Sequence, residues 1–195
     1  MDKKQIQEQR IKGYFIQAAK ELLKGEGLKR VSVRIVADRA GYSYATLYNY
    51  FKDLNDLIFE CVKEFEAECA EHVAAKTKKS PAGKQRIKDI VMAYAGYFTE
   101  YPGVLELFFL EQMTESCRKP ETAELIYHSL DKLCSEEWNG LVSSGELTAE
   151  AAEAKKMLLR SAVTGTLVLY ENRHQPGSYK ELTSQLNAQT DTILA

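Results

Sequence analysis

Apolar residues recur along this 195-residue chain at helical spacing almost from end to end, with no convincing run at the two-residue period of a half-buried strand. Ile11, Phe15, Ala18, Ala19, Leu22 and Leu23 form a first stripe, stopped by Gly25-Glu26-Gly27. Two short patterns then meet at a Gly41-Tyr42-Ser43 corner. In the first, Val33, Val36, Ala37 and Ala40 repeat behind Ser32, which is suited to accept from the free N–H groups opening a helix. Gly41 supplies the left-handed backbone that ends it. In the second, opened by Ser43, Leu47 and Phe51 face inward, which leaves Tyr44, Ala45, Thr46, Tyr48, Asn49 and Tyr50 for other surfaces. Short helices joined at such a corner predict a helix-turn-helix.

Beyond the corner, Asp53 with Asp56 three positions on predicts the cap of a long helix through Ile58, Phe59, Val62, Phe65 and Cys69 toward Ala75. Residues 76–83 are polar and rich in turn formers. A fifth helix follows from Lys84 to Glu100, with Ile87, Val91, Tyr94 and Phe98 on one face, until Tyr101-Pro102-Gly103 interrupts it. Val104 to Ser116 is apolar around most of its circumference, which implies burial on several sides. Pro120 opens a helix through Leu125, Ile126, Leu130, Leu133, Cys134, Trp138, Leu141 and Val142, and Thr148 caps another that runs to about His174. Pro176-Gly177-Ser178 turns into a last helix carrying Leu182, Leu186 and Ile193. The expectation is an all-α chain of about nine helices, with a small three-helix domain over residues 1–52 and a larger helical domain over 53–195.

Charge sharpens that division. The formal net charge is −2, but residues 1–52 hold eleven Lys/Arg against five Asp/Glu and the rest fifteen against twenty-three, a head near +6 on a body near −8. A basic head is drawn to a phosphate backbone from which an acidic body is pushed away, so the asymmetry also orients the molecule on approach. Cys61, Cys69, Cys117 and Cys134 lie inside helical patterns with no C-x-x-C pair and no His at metal-ligand spacing, which predicts reduced, buried thiols, no metal and no cofactor. No apolar run approaches the roughly 20 residues of a membrane span, and no signal-peptide core follows Met1-Asp2-Lys3-Lys4-Gln5, so the expected location is the cytoplasm. His72, His128 and His174 are far apart, and no G-x-S-x-G, P-loop or H-E-x-x-H is present, which argues against an enzyme.

From Ile6 to Leu57, and above all over V-S-V-R-I-V-A-D-R-A-G-Y-S-Y-A-T-L-Y-N-Y-F-K, the chain resembles the DNA-binding domain of the TetR family of bacterial transcriptional regulators. In that family a Thr/Ser-led helix, an Ala-Gly-aromatic/aliphatic-Ser turn and a T-L/I-Y-x-Y/H-F recognition helix follow one another. Carried over residue by residue, the resemblance implies phosphate contacts from Ser32, Ser43, Tyr48, Tyr50 and Lys52, and base-edge contacts from Arg34, Tyr44, Ala45, Thr46 and Asn49. Where members often carry a Lys three residues after the Phe, this chain has Leu54, with Lys52 close by. Physical chemistry agrees with the division, since hydroxyls and helix N-termini hold phosphates while a guanidinium forks onto guanine and a methyl meets the thymine methyl. The recognition helix has no Arg or Lys, which predicts sparse direct readout and a contribution from DNA shape. Lys3, Lys4, Arg10 and Lys12 are candidates for nonspecific backbone affinity.

One recognition helix reads only a few base pairs, so useful specificity calls for a homodimer on a palindromic double-stranded operator, with helices about 34–36 Å apart. Ala154, Leu158, Ser161, Ala162, Gly165 and Val168, beside Leu182, Leu186 and Ile193, are the candidate interface, and the resemblance implies a four-helix bundle from two chains. Tyr94, Phe98, Phe108, Phe109, Met113, Cys117, Tyr127, Trp138 and Tyr170 are candidate lining for a pocket with apolar area and a few polar tips. The resemblance implies a small-molecule inducer there, between the fifth and eighth helices, that releases a repressor from its operator. The alternative is a DNA-bound scaffold of the same fold whose body recruits a protein.

Overall fold

The computed structural model describes residues 2–111 and 120–195. Among them the chain forms eleven α-helices and no strand. They are α1 (Lys3–Glu26), α2 (Val33–Ala40), α3 (Tyr44–Leu47), α4 (Leu54–Thr77), α5 (Lys84–Glu100), α6 (Pro102–Phe109), α7 (Pro120–Tyr127), α8 (Ser129–Leu133), α9 (Ser135–Ser143), α10 (Ala149–Arg173) and α11 (Tyr179–Leu194). The all-α expectation holds, but the count of nine does not, because the run from Pro120 is three helices. His128 and Cys134 sit near φ −98°, ψ 8° and φ −94°, ψ 2°, between the helical and extended regions. Neither break carries a Gly or Pro, and Leu130, Cys134, Trp138 and Leu141 keep one buried face across the second, so periodicity reads straight through it. Of the apolar helix expected over Val104 to Ser116, the part beyond Glu111 lies outside the described residues.

The chain divides into two compact units, Met1–Phe65 with Gly103–Ile126, and Glu66–Pro102 with Tyr127–Ala195. In the first unit, Phe15, Leu22 and Leu23 of α1 share a fully buried core with Val36, Leu47, Leu57, Val62 and Phe65. Phe15 is its aromatic hub, 5.4 Å from the Tyr42 ring, 6.1 Å from Tyr50 and edge-on to Phe51 at 6.3 Å. Such packing fixes the corner against α1. The start of α6 lies on the last carbonyls of α1, so closely that a Cβ at Gly103 would stand 2.1 Å from the Leu23 oxygen, and only glycine fits.

In the second unit α10 packs on α11 and α5, and α11 packs on α5. Ile87, Val91, Tyr94 and Phe98 bury the predicted face of α5, joined by Trp138, Leu159, Val163, Leu167, Leu182, Leu186 and Leu194. Polar groups taken inside are paired, as burial requires. The Tyr94 and Ser129 hydroxyls are 2.7 Å apart, Tyr97 Oη donates to Glu68 at 3.3 Å, and the Thr190 hydroxyl donates to the Leu186 carbonyl at 2.7 Å. The buried Glu137 carboxylate pairs with Arg86 at 3.4 Å, and Arg86 also donates to the Ser80 carbonyl at 2.7 Å, which ties the α4–α5 turn down.

Cys61, Cys69 and Cys134 are free and buried, and burial pushes the first two thiols up to about 12 and the third upward as well. Since the thiolate is the reactive form, a thiol reagent at pH 8 is expected to leave all three unmodified until denaturant is added. Rapid labelling of any of them in the folded chain, read by peptide mapping, would contradict this. Cys117 lies outside the described residues. Among those residues no group of three His, Cys, Asp or Glu is placed to hold a metal, and no helix is long and apolar enough to cross a membrane.

Candidate nucleic-acid interface

Both helix starts at the corner are capped as their sequence requires. Ser32 Oγ accepts from the Ile35 N–H at 3.3 Å, and Ser43 Oγ accepts from the Thr46 N–H at 3.1 Å. Between them Gly41 takes φ 78°, ψ 26°, where a β-carbon would cost about 1 kcal/mol. Regular helix in α3 lasts only from Tyr44 to Leu47, shorter than the spacing suggests. The chain then tightens, with the Asn49 N–H donating to the Thr46 carbonyl at 3.1 Å and the Tyr50 N–H to Leu47 at 2.9 Å.

The helical phase survives this tightening. Leu47 and Phe51 stay inside, while Tyr44 is 56% exposed, Tyr48 is 52% exposed, and Ala45 and Asn49 are exposed beside them. Ser43, Arg34 and Lys52 are also exposed, and Ser32, Thr46 and Tyr50 are half-buried. The ten residues expected at DNA thus fall on α2, α3, their two N-caps and the segment from Tyr48 to Lys52. Tyr44 and Tyr48 leave aromatic area in solvent on one face of the capped corner. After the turn, the Asp56 N–H donates to Asp53 Oδ1 at 2.8 Å, which caps α4, and the Lys52 N–H donates to Asp56 Oδ2 at 3.1 Å.

Lys12 is paired within the first unit. Its Nζ lies 3.2 Å from Glu60 Oε1 and 5.5 Å from the Phe51 ring centroid, and Lys63 holds the other Glu60 oxygen at 3.1 Å. Lys3, Lys4 and Arg10 are exposed. Partial burial alone would raise the Glu60 pKa, but hydrogen bonds from Lys63 and Lys12 and their charges outweigh it, and the carboxyl titrates below its ordinary range. A depressed carboxylate contributes stability above the unfolded value of about 4.3 that is lost as pH falls through the folded value. Acidification below about pH 4.3 should therefore loosen the link between α1 and α4, and Glu60→Gln should flatten that part of the curve of melting temperature against pH. Parallel curves for the two proteins would contradict the assignment.

Helix α1 starts at Lys3, two turns before its apolar stripe, and the Asp2 N–H donates to Gln5 Oε1 at 3.1 Å. This brings Gln5, Glu8, Gln9 and Lys12 beside Asn49 and Tyr50 around a surface groove of about 750 Å³. The D-x-x-Q spacing of Asp2 and Gln5 was the signal for this extension.

The other candidate sets are divided. Tyr94, Phe98 and Trp138 are buried in the second unit, the first two with ring centroids 4.8 Å apart. Phe108 and Phe109 are on α6 in the first unit, and Tyr170 is half-buried on α10. Tyr127 is 54% exposed and carries the Arg160 guanidinium 3.8 Å from its ring centroid, so it belongs to the surface and not to the core. Met113 and Cys117 lie outside the described residues.

On α10, Ala154, Leu158, Ser161 and Gly165 are exposed along one face, with Ala162 and Val168 half-buried at its edge, and Met157 and Leu169 add exposed apolar area. Leu182 and Leu186 are corrected as partner-facing residues, because both are fully buried in their own chain, while Ile193 is half-buried. A single apolar stripe on a terminal helix serves the core it lies on first. The solvent side of α11 includes Tyr179, Lys180, Glu181, Ser184, Gln185, Ala188, Asp191 and Thr192.

Comparison with known proteins follows this geometry. Residues 15–61 match the model of the bacterial regulatory proteins of the tetR family. No curated protein sequence matches the chain. Among solved structures, a protein of unknown function from Rhodococcus sp. RHA1 superposes with a TM-score of 0.74 at 16% identity, covering 94% of this chain and 93% of that one. A protein from Shewanella sp. PV-4 assigned to the tetR family of transcription regulators gives 0.70 at 17% identity over 94% and 96% of the two chains. The transcriptional regulator FadR from Bacillus subtilis, in complex with stearoyl-CoA, gives 0.67 at 18% identity over 93% and 97%. Residues 15–61 thus match the amino-terminal domain of the tetR family of bacterial regulatory proteins, and the whole chain has the fold seen in TetR-family transcription regulators.

Proposed function

We propose that the chain is a homodimeric repressor, acting in the cytoplasm, whose residues 1–52 grip a palindromic operator and whose residues 53–195 dimerise and take a small-molecule effector that releases it. The observation that carries this reading is the exposed Tyr44, Ala45, Tyr48 and Asn49 face on a corner capped at both helix starts. In this reading Ser32, Ser43, Tyr48, Tyr50 and Lys52 hold phosphates, and Arg34, Tyr44, Ala45, Thr46 and Asn49 meet base edges. The exposed small and apolar stripe of α10 supplies the interface, as its Gly165 and Ser161 allow close helix approach. The stearoyl-CoA bound to the Bacillus subtilis FadR supports a ligand-responsive body of this fold.

The mechanism is a population shift. DNA requires two recognition turns at groove spacing, and an effector that binds better to a differently spaced dimer lowers operator affinity, a hundredfold loss needing about 2.7 kcal/mol of coupling. Helix α4, unbroken from Leu54 to Thr77 with residues in both units, is the lever.

Binding assays on two variants test the contact assignment. Tyr48→Phe should weaken binding to all duplexes by a similar factor, since a phosphate contact carries no sequence. Arg34→Ala should relax preference at one base pair, by a factor of about 5–150 from the 1–3 kcal/mol of a bidentate contact. The two patterns exchanged would overturn the assignment.

A further inference from the structure

We propose that the recognition turn reads thymine methyl groups, so that each operator half-site carries A·T pairs beneath α3 and a guanine only where Arg34 reaches. This rests on the DNA-binding reading and adds the class of sequence recognised. The outward residues of the turn are Tyr44, Ala45, Tyr48 and Asn49, and none of them offers guanine O6 and N7 the guanidinium or ammonium that makes the commonest specific contact. Thr46 borders this face, and its hydroxyl is already engaged. Its Oγ1 lies 2.9 Å from Ser43 Oγ, the same atom that accepts the Thr46 N–H at 3.1 Å. With its hydroxyl bonded at the cap, Thr46 adds a γ-methyl to this face, and Ala45 adds a β-methyl.

In the major groove the apolar feature that complements a methyl is the thymine C5-methyl, and the carboxamide of Asn49 matches adenine N6 and N7, the other half of the same pair. A face with methyls, a carboxamide and no cation is thus complementary to A·T. Among the ten interface residues assigned above, Arg34 on α2 is the base-directed cation. The hydroxyl bridge between Ser43 and Thr46 serves to hold the cap.

Duplexes selected from a random pool by the full-length protein supply a bound sequence, in which each thymine is then replaced singly by deoxyuridine. Loss of a methyl beneath α3 is expected to weaken binding about fourfold, the transfer value of one buried carbon. Thr46→Val, which keeps the γ-methyl, should retain the thymine-over-uracil ratio at every position, whereas Thr46→Ser should bring it to one at a single position. Specific binding indifferent to every thymine-to-uracil exchange would overturn the inference and leave the DNA-binding reading intact. So would a Thr46→Ser variant with all ratios unchanged, or a Thr46→Val variant that loses one. Failure to bind any duplex would overturn both.

Discussion

A glutamate at Leu158 is expected to convert dimers into monomers and to lower operator affinity by at least about 10³-fold while the chain stays folded. Leu158 is 53% exposed at the centre of the α10 stripe between Ala154 and Ser161, so a carboxylate there meets water in the single chain and an apolar surface only in the pair. Two heads joined in one molecule bind a palindrome together, and a separated head keeps little beyond its sequence-independent attraction. The same substitution at Leu186 should behave differently. That side chain is fully buried in the second unit, and an unpaired carboxylate in its place removes about 4 kcal/mol or more, enough to unfold a chain of ordinary stability. Sedimentation and circular dichroism on the two variants separate the outcomes. A folded, dimeric Leu158→Glu with undiminished binding would refute α10 as the interface, and a well-folded Leu186→Glu would refute the interior position of α11.

Raising salt from about 50 to 200 mM should depress operator affinity by roughly 10³-fold, with a straight line on a log-log plot. Lys52, Lys3, Lys4 and Arg10 are exposed in each head, and three or more phosphates neutralised per head would give a dimer slope near −5 or steeper. Lys12, which faces Glu60 at 3.2 Å, is left out of this sum. A response close to flat would mean that phosphates are not the partner.

The head was legible in sequence because each of its decisions is local. Ser32, Gly41, Ser43 and Asp53 are cap or turn residues whose backbone role follows from their chemistry, and each takes that role. Thr148 and Ser178 open α10 and α11 in the same way, accepting from Ala151 and Glu181 N–H groups at 3.2 Å. What sequence could not give is the choice between two equally apolar environments. Leu182 and Leu186 have the spacing of an interface and of a core, and only the packing of α11 on α5 and α10 decides for the core. Lys12 was likewise ambiguous, since a lysine near a basic surface serves phosphate or a carboxylate, and Glu60 lies forty-eight residues away. The breaks at His128 and Cys134 carry no residue that breaks helices by itself. Helical spacing likewise does not tell an inward aromatic from an outward one, and Tyr127 lies at the surface with the Arg160 guanidinium over its ring.

Selection of bound duplexes from a random pool by the purified full-length protein tests the central claim most directly. The account predicts enrichment of a palindrome whose half-sites are centred one helical turn apart, about 10 base pairs. A pool that stays unenriched at low ionic strength, or one that converges on a sequence without two-fold symmetry, would contradict it.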